Sequence, residues 1–491
     1  MSRNQQSRSN DRTDAHTIAR RDFLRIVGAG AAATQLSPLL AAAGQPRRPN
    51  LVLIVADDLG YAGVGYQGCK DVPTPNIDSI ARNGVQFTDG HVSCPVCSPT
   101  RAGLMTGRYQ HRFGHEFNPG PPATADVKFG LPLSQITMAD LLKKAGYVTG
   151  MVGKWHLGLA PEYHPMKRGF DEYFGFLHGG HDYLDPKADS TNPILRGTEP
   201  VDKEEYLTDA FTREAVAFLE RRRRDPFFLY LSYNAVHTPM QATQKYLDRF
   251  KNITDPARRT HAAMLSALDD GVGAVLAKLR ETGLEDDTLV IFISDNGGPT
   301  PSNTSSNLPL RGYKGQLLEG GHRVPFALQW KRQIKGGQVY RQLASSLDIL
   351  PTVVAVGGGE LPKDRPIDGV DLMPHLTGQK TSAPHQCLVW RQGERHAVRM
   401  GDWKLLVEDG GQAQLYDLSK DIGESNDLAA KNPDKVKELS AAFDKWNAEM
   451  VPALWKTGAR PGKKAAKAAG ERPRAKEGAA KQPRKERKAK Q

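Results

Sequence analysis

The sequence predicts an α/β protein with one large, mostly parallel sheet covered by helices on both faces, followed by a smaller C-terminal α+β subdomain. Between residues 50 and 340, apolar runs of strand length alternate with helix-like segments. That alternation is typical of a parallel sheet with crossover helices. Residues 381–455 instead contain the short strand candidates CLVWRQ and DWKLLVED and then one helix-like segment, DKVKELSAAFDKWNAEM. A chain of 491 residues is long enough for both parts.

The N-terminal residues 1–43 have the order of an export signal. The arginine pair Arg20 and Arg21 precedes a modest apolar stretch, which ends in three alanines at 41–43. This order predicts a twin-arginine signal cleaved after residue 43, so the export machinery is a predicted partner and the mature protein is expected in the periplasm or outside the cell. The apolar stretch is short and rich in Gly and Ala, which is too weak for a stable membrane span.

The net charge of +12 is concentrated at the two ends of the chain. Residues 456–491 carry 14 Lys and Arg against three Glu, and residues 1–49 carry eight Arg against three Asp, which leaves −4 for the rest. The part expected to fold is therefore slightly acidic, and the charge does not indicate a nucleic-acid partner. The Lys-, Ala- and Pro-rich tail 456–491 predicts disorder, with electrostatic tethering to an anionic polymer as the alternative.

Four apolar runs end in polar residues. These residues are Asp57 and Asp58 after NLVLIVA, Lys154 and His156 after GYVTGMVG, His237 after PFFLYLS, and Asp295 and Asn296 after TLVIFIS. A single Asp after a strand is usually a turn residue or a helix cap. Four such strand ends together favour a binding site, because ligands of parallel sheets bind outside the carboxyl ends of the strands.

The residue types at these strand ends indicate the ligand. The oxygen donors are Asp57, Asp58, Asp295 and Asn296, a set without thiolates that favours Ca²⁺ or Mg²⁺ over zinc. The cationic or proton-carrying groups are Lys154, His156, His237 and, in the Gly-rich RGYKGQLLEGGHRVP, Lys314. Cationic groups around a divalent metal describe a site for a sulfate or phosphate ester, and composition does not choose between the two.

The stretch SCPVCSPTRAGLMTGR supports two interpretations. Cys94 and Cys97 form a C-x-x-C, but no second pair completes a zinc site, and a redox dithiol has only the spacing in its favour. The alternative is C-x-P-x-R, in which Pro99 suits the first turn of a helix. Cys97 then lies at a helix N-terminus with Arg101 one turn along the same face, a position suited to a nucleophile.

The segment CSPTRAGLMTGR resembles the signature of the type I sulfatases, the formylglycine-dependent arylsulfatase family of the alkaline-phosphatase-like superfamily. In that family the Cys of C-x-P-x-R is oxidised to Cα-formylglycine (3-oxoalanine). The motifs LVLIVADDLG, GKWHLG, YNAVHTP, ISDNGG, RGYKG with EGGHRVP, and LYDLSKDIGESNDLA also occur in family order. The resemblance covers Asn50 to Trp455 and implies a catalytic domain at residues 50–380 and a small subdomain at 381–455.

The resemblance also implies a role for each site residue. The implied ligands of one Ca²⁺ are Asp57, Asp58, Asp295 and Asn296, together with the modified Cys97. The implied catalytic residues are Cys97 as hydrated aldehyde, Arg101 to hold the hydrate, Lys154 and Lys314 to bind sulfate oxygens, His237 to protonate the leaving alcohol and His156 to help break down the covalent intermediate. One further polar group is expected among His178, His181 and Asp182. A formylglycine-generating system, acting on unfolded chain before export, is a further implied partner.

The sequence thus predicts an exported, calcium-dependent hydrolase of sulfate monoesters. Sulfated carbohydrate is the first expectation for its substrate, an aryl sulfate the generic one, and a single exo-acting pocket is favoured over an open groove. Two alternatives stay open. One is a phosphoester or phosphonate hydrolase of the same superfamily, and the other is a non-catalytic protein that binds sulfated polysaccharide through its basic tail.

Overall fold

The computed structural model describes residues 48–119, 128–185, 187, 189–201 and 205–456. The predicted export signal at 1–43 and the basic tail after residue 456 lie outside these residues. The strands are β1 (Asn50–Ala56), β2 (Val85–Phe87), β3 (Gly90–His91), β4 (Val148–Lys154), β5 (Glu172–Phe176), β6 (Leu195–Arg196), β7 (Glu199–Pro200), β8 (Phe227–Ser232), β9 (Thr288–Ser294), β10 (Phe326–Gln329), β11 (Gln338–Tyr340), β12 (Ala344–Ser345), β13 (Cys387–Gln392), β14 (Arg395–Met400), β15 (Trp403–Val407) and β16 (Gln414–Asp417). The α-helices are α1 (Pro75–Arg82), α2 (Cys97–Thr106), α3 (Met138–Lys144), α4 (Leu207–Arg222), α5 (Gln244–Leu247), α6 (Pro256–Glu281), α7 (Thr300–Asn303), α8 (Glu319–His322), α9 (Ile349–Val356), α10 (Met373–Leu376) and α11 (Pro433–Asn447).

A ten-stranded sheet forms the main body, in the order β11-β2-β10-β9-β1-β8-β4-β5-β6-β7. Its central strands, β9, β1, β8, β4 and β5, are parallel to one another. Antiparallel strands flank this centre, with β10 beside β9 and β6 beside β5. The predicted fold class is confirmed, as a mixed sheet whose parallel centre consists of the long apolar runs.

Helices cover both faces of this sheet, which explains why β1, β8 and β9 contain uninterrupted apolar runs. On β1, Val52 and Ile54 pack into a core with residues of α1, α4 and α6. The alternate residues Leu51, Leu53 and Val55 pack into a second core with residues of α2, α3 and α9. Because side chains of a strand alternate between faces, an uninterrupted apolar run is what two buried faces require.

The C-terminal part is an antiparallel sheet in the order β13-β14-β15-β16. One face packs against α11, with Leu439 fully buried among Val389, Val398, Leu405 and Leu415. The other face buries Leu388, Trp390 and Leu406 against residues of the main body such as Leu317 and Leu343. The two strand segments and the helix that the sequence predicts here are therefore present. Among the described residues, no helix combines the length and apolar character that crossing a membrane requires.

A buried ionic network joins the C-terminal sheet to the main body. Lys404 on β15 is fully buried, and its Nζ lies 3.0 Å from Glu319 Oε1 and 2.8 Å from Glu424 Oε1. Burial alone would raise the pKa of Glu319, but Lys404 and the other basic side chains around it, including Arg399, together outweigh burial and hold that pKa well below its usual value. Two carboxylates that water does not reach therefore share one ammonium group, and burial raises the pKa of Glu424.

We expect Lys404→Met to destabilise the protein by about 3–5 kcal/mol, because it leaves buried carboxylates without their cation. The unpaired carboxylates bind protons more readily in the folded than in the unfolded chain, so the loss shrinks as the pH falls. Urea denaturation at pH 8 and pH 5 measures both effects. Lys420→Met is the control, because Lys420 is 82% exposed and its pair with Asp417 lies at the surface. Equal losses for both variants would contradict the role of the network.

Candidate active site

The four predicted strand ends meet at one edge of the sheet. Strands β9, β1, β8 and β4 are consecutive neighbours and parallel, so their carboxyl ends lie side by side. The polar residues that follow them are nearly all buried. Each of Asp57, Asp58, Cys97, Arg101, Lys154, His156, Asp295 and Asn296 is less than 5% exposed. The side chains of Lys314 and His237 are 17% and 20% exposed and connect this cluster with solvent.

The oxygen donors converge at the ends of β1 and β9. Asn296 Nδ2 donates to Asp58 Oδ1 at 2.7 Å, and the backbone N–H of Asp58 donates to Asp295 Oδ1 at 3.3 Å. The side-chain oxygen of Asn296 is buried and has no hydrogen-bond partner among the described residues. A buried acceptor without a donor usually serves a function, and three carboxylates with one free amide oxygen form a donor set for a hard divalent cation.

Cys97 lies next to this donor set. It is the first residue of α2 and is 1% exposed, and its Sγ is 3.8 Å from Asp57 Oδ1. Burial raises its pKa to about 12, although Lys154 and Lys314 act in the opposite direction. Together with Asp57, Asp58 and His237, it offers ligand atoms that all lie within 4.8 Å of one another. Cys94 is not part of this group, and both cysteines are free thiols.

Three cations neutralise the three carboxylates. Arg101 donates to Asp295 Oδ2 from Nε at 3.0 Å and from a terminal nitrogen at 2.7 Å. Lys154 Nζ is hydrogen-bonded to Asp57 Oδ2, and Lys314 Nζ lies 2.6 Å from Asp58 Oδ1.

The protonation states follow from this pairing. Burial alone would raise the pKa values of Asp57 and Asp58, but the nearby positive charges together outweigh it, led by Lys154 at Asp57 and by Lys314 at Asp58. Both pKa values therefore lie below their usual values. All three carboxylates are thus matched by cations, and a divalent ion would give the site an excess of two positive charges. That excess suits an anionic ester.

The backbone is held in a left-handed conformation at two of these positions. Asp58 and His156 have φ values of 61° and 58°, a region that residues other than Gly rarely adopt. Hydrogen bonds hold both residues there: the N–H of His156 donates to Leu177 O at 3.0 Å, and its carbonyl accepts from Ser98 Oγ at 2.7 Å. Such a conformation costs on the order of 1–3 kcal/mol and is commonly found at functional sites.

The two histidines differ in environment. Burial, followed by Lys154 and His178, keeps the pKa of His156 well below its usual value, so its ring is neutral near pH 7. His237 is partly exposed, with Nε2 3.6 Å from Asp58 Oδ2 and Nδ1 2.5 Å from Thr238 O. The pair therefore combines a neutral buried ring with one that is open to solvent and beside a carboxylate.

Of the three further polar candidates, His178 lies beside the site. Its ring centroid is 5.7 Å from that of His156. His181 instead pairs with the carbonyl of Asp182 at 2.8 Å, and its ring packs on Phe176. Asp182 accepts hydrogen bonds from the backbone N–H groups of Leu184 and Asp185 and stabilises a turn.

The sequence interpretation did not identify several residues that contact the site. Ser232, the last residue of β8, accepts from Arg101 at 2.5 Å and donates to Lys154 O at 2.8 Å. A polar residue at the end of an apolar strand could have indicated it. Gly179 lies against the ring of His156, where a Cβ would approach Nε2 to 2.7 Å. Ser98 donates to the backbone carbonyl of His156, and His115 contacts Ser98.

Known proteins resemble the chain over most of its length. A protein-family model described as Sulfatase matches residues 49–359. The N-acetylgalactosamine-6-sulfatase of Mus musculus is 37% identical over 389 residues, covering 74% of this chain and 73% of the relative. Arylsulfatase J of Mus musculus is 31% identical over 466 residues, covering 82% and 77%. The crystal structure of Ps i-CgsB in complex with k-i-k-neocarrahexaose has a TM-score of 0.79 and 36% identity, covering 86% of this chain and 98% of that chain.

Proposed function

The chain belongs to the sulfatase family, as a type I sulfatase and sulfuric ester hydrolase, and we propose that it hydrolyses carbohydrate sulfate monoesters with a formylglycine formed from Cys97 and a Ca²⁺ ion. One observation carries this proposal: the Cys of C-x-P-x-R begins α2 directly beside the carboxylates at the strand ends, 3.8 Å from Asp57. The signature and the oxygen donors are 39 or more residues apart in sequence, and the fold brings them into one site.

The proposed ion fits the residues present. Asp57, Asp58, Asp295 and Asn296 would hold Ca²⁺, and the Asn296 side-chain oxygen supports this because no donor among the described residues binds it. When bound, Ca²⁺ supplies positive charge for the sulfate oxygens, and the hydrated formylglycine supplies a hydroxyl nucleophile. Cys97 lies in the same group as Asp57 and Asp58, so the modified residue would also be able to ligate the ion.

The cations would bind and orient the ester. We assign Lys154 and Lys314 to the sulfate oxygens, because their ammonium groups contact the carboxylates that would hold the ion. Arg101 would orient the hydrate from one turn along α2, fixed by its two bonds to Asp295. These charges are held before substrate arrives, which is the arrangement that lowers the barrier most when negative charge shifts in the transition state.

The histidines would move the protons. His156 is neutral and would accept a proton from the hydrate. His237, on the solvent side of the site, would donate one to the leaving alcohol. His178 is the residue we assign as the further polar group, because it packs beside His156 while His181 and Asp182 are engaged in the neighbouring turn.

The relatives support a carbohydrate substrate. One carries the name N-acetylgalactosamine-6-sulfatase, and the similar solved structure contains a neocarrahexaose. The burial of all site residues except Lys314 and His237 supports a pocket that takes one terminal ester rather than an open groove. We also propose that residues 1–43 are a twin-arginine export signal and that a formylglycine-generating system modifies Cys97 before export to the periplasm or medium. We assign residues 50–380 to the catalytic domain, 381–455 to the C-terminal subdomain and 456–491 to a basic tail.

The fully modified protein should hydrolyse 4-nitrophenyl sulfate with a large preference over 4-nitrophenyl phosphate when Ca²⁺ is present. Cys97→Ala should lose at least about 10³-fold in kcat because the nucleophile is removed. Cys94→Ser is the matched control and should keep activity. Mass spectrometry of the peptide containing residue 97 should show formylglycine. A preference for phosphate would overturn the reaction class, and an active protein with an unmodified thiol would overturn the mechanism.

Removal of Ca²⁺ should abolish activity and lower the melting temperature, because an ion that binds only the folded chain stabilises it. Chelation with EGTA followed by titration of Ca²⁺ measures both effects. Asn296→Ala should raise the Ca²⁺ concentration for half-maximal activity at least about tenfold, since ligand loss is at least as severe as loss of a group that supports a ligand. Full activity after exhaustive chelation, with an unchanged melting temperature, would contradict the proposed ion.

Gly179→Ala should lower kcat about 10–100-fold, because the added Cβ would lie 2.7 Å from His156 Nε2 and displace the ring. Gly180→Ala is the control: its Cβ would meet His237 Cε1 at 3.5 Å, an ordinary contact. Steady-state kinetics of both variants provides the measurement. Equal losses of kcat in the two variants would contradict a specific effect of the His156 ring position on turnover.

A further inference from the structure

Ser98, the residue after the nucleophile, links the first turn of α2 to His156. Its Oγ donates to the carbonyl of His156 at 2.7 Å and lies 2.6 Å from His115 Nε2. Its backbone N–H, one of the free donors at the start of α2, donates to the side-chain oxygen of Asn118 at 2.9 Å. Ser98 therefore holds two parts of the site at once, namely the turn that begins with Cys97 and the backbone of His156.

The direction of these hydrogen bonds can be derived. A hydroxyl has one hydrogen, and the carbonyl of His156 can only accept it. Ser98 must therefore accept its second bond from His115, whose Nε2 carries the proton. Burial lowers the pKa of His115 to about 3, so the ring is neutral near pH 7. His115 is therefore the donor in its bond with Ser98.

The bond from Ser98 is one of two that hold His156 in its left-handed conformation. The other is the bond from the His156 N–H to Leu177 O. The left-handed region is unfavourable for a residue with a Cβ, so the backbone needs support on both sides of the residue. Without the Ser98 hydroxyl, the backbone carbonyl of His156 loses its hydrogen-bond donor, and the ring of His156 is free to turn away from the site.

The last described residues of the chain brace this arrangement. Trp455 contacts the ring of His115 edge to face at a centroid distance of 4.7 Å, and its indole N–H lies 3.0 Å from Phe117 O. The N–H of Leu454 donates to Gly114 O at 2.9 Å. The segment 451–455, which we term the C-terminal brace, therefore lies along the loop that carries His115 and Asn118.

We propose that His115 is a positioning residue: through Ser98 it fixes His156 and the first turn of α2, and the C-terminal brace holds His115 in place. His115 donates to no substrate atom in this scheme. The inference rests on the proposed function, since His156 and Cys97 have the roles assigned above. The motif read during modification, Cys97 with Pro99 and Arg101, does not include Ser98 or His115, so modification and positioning can be measured separately.

The test compares Ser98→Ala and His115→Leu with Thr106→Ala. Thr106 is a matched control because its hydroxyl is equally buried on α2 but donates to Ala102 O of the same helix at 2.8 Å. With formylglycine content confirmed by mass spectrometry, Ser98→Ala and His115→Leu should lower kcat about 10–100-fold and leave KM within about threefold. Thr106→Ala should keep the kcat of the parent. His115→Gln should recover most of the activity, because its amide N–H can donate to Ser98.

The proposal is overturned if fully modified Ser98→Ala has the kcat of Thr106→Ala, or if His115→Gln is no better than His115→Leu. Trp455→Leu lies outside α2 and should lower kcat several-fold, which keeps the proposal testable if the buried variants do not fold; unchanged kcat for this variant counts against the brace. A parent protein that is modified but hydrolyses no sulfate ester refutes the proposed function itself. An active parent with an equally active Ser98→Ala refutes only the positioning role.

Discussion

The close approach of three buried carboxylates at the ends of β1 and β9 is the constraint on which the rest of the site depends. Two like charges about 4 Å apart repel by about 4 kcal/mol at the effective dielectric of a protein site. Asp57, Asp58 and Asp295 are tolerated because a separate segment supplies a cation to each of them. The cations come from α2, β4 and the loop at 314, so the site forms only when the main sheet has assembled around it.

Because each carboxylate needs a cation beside it, the C-terminal sheet also helps to hold the site together. The loop that carries Lys314 is bonded on one side to the segment before Cys97, through Gly315 N and Pro95 O at 2.9 Å. On the other side, Arg395 of β14 donates to Gly315 O at 3.4 Å, and Lys404 of β15 neutralises Glu319 a few residues further along. The cation for Asp58 is therefore held through contacts with the C-terminal sheet.

The fold and most of the site were predictable from the sequence because they follow from local pattern. Apolar runs that stop on Asp57, Lys154 and Asp295 identify both the strands and the edge where the polar side chains meet. What the sequence could not provide depends on contacts between distant segments. Neither periodicity nor composition indicates the bond between Ser98 and His115, the left-handed backbone of His156 or the packing of His178 beside it.

The spacing within C-x-P-x-R also has a physical explanation in this structure. Arg101 lies four residues after Cys97, one helical turn, so the residue that anchors α2 to Asp295 also brings Cys97 Sγ to Asp57. Pro99 falls in the first turn, where a backbone N–H would have no partner within the helix, and it lacks that group. The backbone N–H of Ser98, also in the first turn, donates to the side-chain oxygen of Asn118. Cys94 lies before the helix and has neither Pro nor Arg at the matching positions, so its pairing with Cys97 as C-x-x-C is a coincidence of spacing.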